Sequence, residues 1–178
     1  DGLPGLDASI FAYLRHRDDP VHPIYTRQLG ENWRMNHTLS RFAAETLYGP
    51  GYLPATDDTG GQRIDLLPSL SCGSPEEECI EWILDPAYPL VLCVLENVQT
   101  TIENLVEAAL VAEIARELWE RLIAPGSGEP YPATEEGDYR FWLHGLFIVS
   151  PHHAQIGAIR TLLAGERDWK SPPFVDTV

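Results

Sequence analysis

The sequence predicts an α/β domain with a mainly parallel, doubly wound sheet. Three observations carry that expectation: two apolar runs of strand length, "PLVLCVLE" and "FWLHGLFIVS", and a helical apolar period between and after them. A continuous apolar run is what a strand shows when helices cover both sheet faces, and strands alternating with helices favour parallel pairing. At 178 residues the chain is long enough to bury one sizeable core in three packed layers, so a single domain is expected.

Taken in order, Ala8 to Arg17 places Ile10, Phe11 and Leu14 on one side of a short helix that Asp18-Asp19-Pro20 ends. "IYTRQL" then has the composition of a short strand. After Arg34, the positions Leu39, Phe42, Ala43 and Leu47 follow helical spacing, with Asn36 or Thr38 as N-cap and Gly49 as the stop. From Thr56 to Pro86 the composition shifts to Gly, Pro, Ser and acids, which predicts a surface excursion. "QRIDLL" within it could add a strand and "PEEECIEWIL" a turn or two of helix.

"PLVLCVLE" is expected to be a central strand, which would leave Cys93 buried and inert. Thr100 and Glu103 have capping-box spacing ahead of the longest helix. Its apolar stripe runs through Ile102, Leu105, Val106, Ala109, Ala112, Trp119 and Leu122 until Pro125. "GSGEPYPATEEGD" reads as a loop and "FWLHGLFIVS" as the second buried strand. It leads into the helix "PHHAQIGAIRTLLAG", with Ser150 as N-cap, Pro151 at the first helical position and Gly165 at the end. The closing "PPFVDTV" has strand composition with no turn or cap after it. The opening has neither an initiator Met nor a signal-peptide pattern, so the chain reads as an excerpt of a longer protein.

Composition narrows the function classes. Hydrophobic residues make up 44% and no run approaches the roughly 20 residues that span a bilayer. Three cysteines, Cys72, Cys79 and Cys93, lack paired C-x-x-C spacing and fit a reducing, cytoplasmic setting. Cys72 and Cys79 with His152 and His153 do not form a recognisable zinc pattern, so no metal site is expected. A net charge of −15 disfavours a free-standing nucleic-acid binder, because phosphate affinity comes mainly from Lys and Arg. Lys170 is the only lysine; the remaining bases are arginines, which suit bidentate phosphate contacts. No G-x-x-x-x-G-K-[ST] loop, G-x-G-x-x-G turn or G-x-S-x-G elbow occurs.

Two places could carry chemistry. Arg34 follows a strand-like segment and precedes a helix, where open α/β sheets bind ligands beyond the strands' carboxyl ends. Its permanent charge and planar fork match phosphate oxygens, and a supplied arginine stabilises charge in phosphoryl transfer. The bland alternative is a surface arginine, or one paired with Glu31. In "VSPHHAQ", Ser150 and the N–H groups of a helix start make an anion site, with His152 and Gln155 on one side of the first turn. The bland alternative there is an ordinary cap with solvated polar neighbours.

Three segments in order add a resemblance. "NWRMN" followed by "LSRFAAETLYGPGYL" resembles the N-Y-R-M-H…F…FY-G-G-x-L segment of superfamily 1 helicases, in the branch containing the nonsense-mediated-decay RNA helicase and the replication helicase-nuclease. "LFIVSPHHAQIGAIRTLL" resembles that branch's I-x-[IV]-[IT]-T-P-Y-x-x-Q segment, and "FVDTV" resembles the start of its V-x-T-V-D-x-[FM]-Q-G motif. The resemblance implies a second RecA-like domain over residues 1–178, three-layered and of the P-loop NTPase fold but without the P-loop, with the acidic excursion at about 56–86.

It further implies that Arg34 reaches the γ-phosphate of an ATP, with Mg²⁺, held by a first RecA-like domain. Ser150, His152, Gln155 and Thr177 would contact single-stranded nucleic acid, DNA ahead of RNA. Trp33 and Asp176 accompany those motifs, with Trp33 packing at the domain junction. The departures are Asn36 for the family's His, His152 for its Tyr, and an end before the Gln-Gly. The chain alone is therefore expected to hydrolyse no ATP. Two other readings are a RecA-like interaction module without motor function and a motor fused to a nuclease.

Overall fold

The computed structural model describes residues 30–69, 73–98 and 102–177, so the predicted helix at Ala8 to Arg17, the strand "IYTRQL", Cys72 and Thr100 lie outside the described residues. The chain divides into two units, Asp1–Gln62 and Arg63–Val178. Both combine helices with short parallel strands.

In the first unit, β1 (Glu31–Asn32) pairs in parallel with β2 (Leu53–Pro54), Glu31 opposite Leu53 and Asn32 opposite Pro54. Between them runs α1 (His37–Ala43), continued by a π turn over Ala44–Tyr48. Of the two predicted caps it is Asn36 that acts, its Oδ1 accepting from Leu39 N at 3.0 Å. The helix stops at Gly49 as expected: φ there is 89°, a left-handed value that glycine adopts without a Cβ penalty. The short α2 (Asp57–Gly60) follows, capped by Thr56.

The second unit contains α3 (Pro75–Ile83), α4 (Leu105–Arg121), α5 (Glu135–Arg140) extended by a π turn (Phe141–Gly145), β3 (Ile148–Val149), α6 (His153–Glu166) and β4 (Val175–Asp176). Helix α3 fulfils the suggestion made by "PEEECIEWIL", with a capping box in which Ser74 Oγ accepts from Glu77 N and Glu77 Oε2 accepts from Ser74 N. The core forms where α4 and α6 pack. Ala108, Ala112 and Ala115 stand at helical spacing on one face of α4, and their small side chains leave room for Ile156, Ile159 and Leu163 of α6.

Several expectations change. The buried apolar row of α4 is Ala108, Ala112, Ala115 and Leu118, of which Ala112 belongs to the expected stripe, while Leu105, Val106 and Ala109 face out. Partner geometry chose the small residues because they permit close approach. The cap of α4 is Asn104, whose Oδ1 accepts from Val106 N and Glu107 N, so the Thr100–Glu103 spacing does not start this helix. "PLVLCVLE" forms no strand: no described backbone pairs with it, Leu92 is 86% exposed and Cys93 is exposed as well. Apolar composition gives a segment the capacity for burial, but a strand exists only where a neighbouring backbone accepts its ladder. "QRIDLL" is reduced to one bridge between Leu66 and Leu122.

The predicted loop and second strand also divide differently. Thr134 caps α5 through its Oγ1 and Gly137 N, so helix begins inside "GSGEPYPATEEGD" and continues through Phe141 and Trp142, both buried. Strand is left only at Ile148–Val149. A short apolar run satisfies buried helix and buried strand alike, and the cap upstream decides. His152, not Ser150, occupies the N-cap of α6, Pro151 lies before the helix, and Gly165 is inside it. Among the described residues the strands form two parallel pairs, β1–β2 and β3–β4, rather than one wide sheet. No helix among them is long and apolar enough to cross a membrane.

Candidate nucleotide and nucleic-acid interfaces

The turn that presents Arg34 is built by a buried asparagine. Asn32, the last residue of β1, accepts at Oδ1 from Arg34 N (3.2 Å) and Met35 N (2.6 Å) while its Nδ2 donates to Ser40 Oγ (2.8 Å). Ser40 Oγ in turn donates to Met35 O at 3.1 Å. One side chain thus ties the strand's end, the two residues after it and the buried face of α1. Arg34 and Trp33 stand at the apex, both exposed, Trp33 at 71%.

Among the described residues the Arg34 guanidinium has no hydrogen bond and no ion pair, and Glu31 does not reach it. Arginine is always charged, so an exposed guanidinium at a strand's carboxyl end is a fixed cation with all five donors available. Asn32 and Ser40 were not singled out from the sequence. The available signal is the asparagine two residues before Arg34, a residue type whose side chain closes turns on the backbone two and three positions on.

In the second unit the carboxyl ends of β3 and β4 meet. Ser150 N donates to Asp176 O at 2.9 Å, and Thr177 N donates to the Asp176 carboxylate at 2.8 Å. Ser150 is buried, and its Oγ accepts a long bond from His152 N at 3.5 Å. His152, His153, Asp176 and Thr177 are exposed. No side chain caps α6, so the N–H groups of its first turn keep their partial positive charge toward solvent. Arg160 Nη2 donates to Val175 O at 2.7 Å and ties α6 to β4. Ser150, His152, Asp176 and Thr177 therefore share one strand edge.

Gln155 is placed otherwise. It is buried, its Oε1 accepts from Asn104 N (2.6 Å) and its Nε2 donates to Asn104 O (3.1 Å). Both ends of the amide are engaged on the backbone of the residue that caps α4, so Gln155 is a clamp between two helices, buried away from a strand.

No family model, no curated protein and no solved structure matches this chain. The β1 edge offers an exposed cation on a turn whose backbone is held by Asn32. The β3–β4 edge offers hydroxyl, imidazole and helix N–H donors beside one carboxylate. Among the described residues no three His, Cys, Asp or Glu side chains are grouped to hold a metal ion.

Proposed function

We propose that this chain is the second RecA-like domain of an ATP-dependent nucleic-acid helicase or translocase of superfamily 1. The single observation that carries the reading is Arg34: an unpartnered guanidinium at the carboxyl end of a parallel strand, on a backbone turn held by a buried Asn32. An α/β domain without its own phosphate loop has one evident use for such a cation, which is to complete a nucleotide site formed largely by another domain. The residues present fit part of that site. Arg34 would donate to the phosphate oxygens of ATP, and the carboxylates that accompany Mg²⁺ would come from the first RecA-like domain. ATP would supply the phosphoryl transfer that drives motion, and Arg34 would supply positive charge to the transferred group.

Single-stranded nucleic acid would run along the β3–β4 edge, contacted by the exposed His152 and Thr177, with the buried Ser150 supporting the turn beneath them. Gln155 contributes there by fixing α6 against Asn104. The acidity of the chain agrees with a shared track, in which another domain provides most of the positive surface.

The test is strand-stimulated ATP hydrolysis by the intact protein with Arg34→Ala and Arg34→Lys. Loss of an arginine that stabilises transferred charge lowers turnover about a thousandfold or more in the strongest cases, and a drop of at least tens-fold with unchanged strand affinity is expected. Unchanged turnover removes the motor reading. The second reading, a RecA-like interaction module, draws on the net charge of −15 and the acidic helix α3, and under it Arg34→Ala is silent.

A further inference from the structure

We infer a second surface, independent of the motor reading: a groove in the acidic segment that binds a basic, proline-containing peptide in extended conformation. The groove encloses about 570 Å³, with Leu66 and Leu84 among its apolar residues, Pro68 and Pro86 beside them, and Trp82 and Tyr88 as its aromatic pair. Their rings are stacked, 6.2 Å between centroids and 23° between planes, yet 69% and 53% exposed. A stacked, half-solvated pair held by a helix (Trp82 on α3) and a turn (Tyr88 N donating to Asp85 O, 2.9 Å) is preformed, so binding it orders little.

The polar tips choose the ligand's conformation. Neither the Trp82 indole N–H nor the Tyr88 hydroxyl has a partner among the described residues. Each can donate to a carbonyl, and a polyproline-type strand offers carbonyls because it has no internal hydrogen bonds. A helix offers none except at its end. Aromatic rings beside prolines are also the surface on which the rigid pyrrolidine ring packs at low entropic cost.

Charge chooses the sequence. The stretch from Glu76 to Asp85 contains five acids and no base. The one cation lining the groove, Arg121, is already answered: it is bonded to both oxygens of Glu81 and lies 3.6 Å from Glu117. Asp85, the other acid lining the groove, meets no cation among the described residues, which leaves the lining with a net negative charge. Arginine or lysine between the prolines complements it, whereas the phosphates of a nucleic acid whose bases stack on the same rings are repelled.

The experiment is calorimetric titration of the full chain with four repeats of Arg-Pro-Pro, four of Glu-Pro-Pro, four of Arg-Gly-Gly, and a twelve-residue oligothymidylate. The Arg-Pro-Pro peptide is expected to bind in the micromolar range. Trp82→Ala should weaken it about tenfold or more, as expected for an aromatic anchor. Asp85→Asn should weaken it several-fold while retaining an acceptor for Ala87 N, and circular dichroism should show both variants folded. Equal binding of Arg-Gly-Gly, indifference to Trp82→Ala, no binding at all, or oligothymidylate displacing the peptide would each overturn the inference.

Discussion

Asp138 offers the sharpest test of how the second unit holds its β3–β4 edge. It lies on α5, is fully buried, and is surrounded by donors: Trp119 Nε1 at 3.1 Å, Lys170 N at 2.7 Å and Arg167 Nη2 at 3.4 Å. Arg167 Nη1 is also 3.1 Å from Asp138 Oδ1, but outside hydrogen-bond geometry, so that link is Coulombic. The guanidinium is itself held between indoles, 3.5 Å over Trp119 and 4.3 Å over Trp169. One carboxylate thus joins α4, α5 and the segment that leads from α6 to β4.

Asp138→Ala removes the acceptor and leaves a largely buried cation unanswered. Breaking a buried pair from one side costs about 3–5 kcal/mol, against a total stability of roughly 5–15 kcal/mol for a domain. Asp138→Asn keeps an acceptor for Trp119 or Lys170 and gives up the charge, and about 1–3 kcal/mol is expected. Urea denaturation measures both, and a cycle with Arg167→Met isolates the pair. Hydrogen exchange at Ser150 N, which is bonded to Asp176 O, should accelerate in Asp138→Ala because the restraint on the chain entering β4 is gone. If Asp138→Ala stays within about 1 kcal/mol of the parent, the carboxylate does not organise this part of the fold.

Tyr131 is buried with an unpartnered hydroxyl, so Tyr131→Phe should raise stability by about 1 kcal/mol or more in thermal melts. Burial raises the Tyr131 pKa above its ordinary value, although Arg140 acts in the opposite direction. The unfolded chain then releases its proton first, and stability falls as pH rises from about 10 toward the folded pKa; Tyr131→Phe should remove that alkaline loss. Gly137→Ala would place a Cβ 1.9 Å from Pro132 O, a backbone clash, and should cost more than about 2 kcal/mol or prevent folding, as soluble yield and calorimetry will show. Gln155→Ala breaks both bonds to Asn104 and should destabilise by about 1–3 kcal/mol, while a direct strand contact would instead appear as lost oligonucleotide affinity at unchanged stability.

What was legible in the sequence was what local chemistry decides. Asn36 and Gly49 bound α1 because an asparagine side chain accepts from the first turn and a glycine tolerates φ of 89° whatever surrounds them. The capping box of α3 is local in the same sense. Arg34 was legible as a cation between strand and helix, but its presentation was not, because the Asn32–Ser40 bond joins residues eight apart across a turn.

Tertiary structure alone decided which apolar runs became strands and which polar residues stayed available. "PLVLCVLE" and "FWLHGLFIVS" look alike by composition, yet the first has no described partner, while Ile148–Val149 of the second pairs with Val175–Asp176. Gln155 and His152 sit three apart at one helix start, yet packing against α4 buries the first on Asn104 and leaves the second in solvent. Periodicity and capping act over a turn or two of chain. Pairing, burial and access depend on residues dozens of positions away, and no short window of sequence contains them.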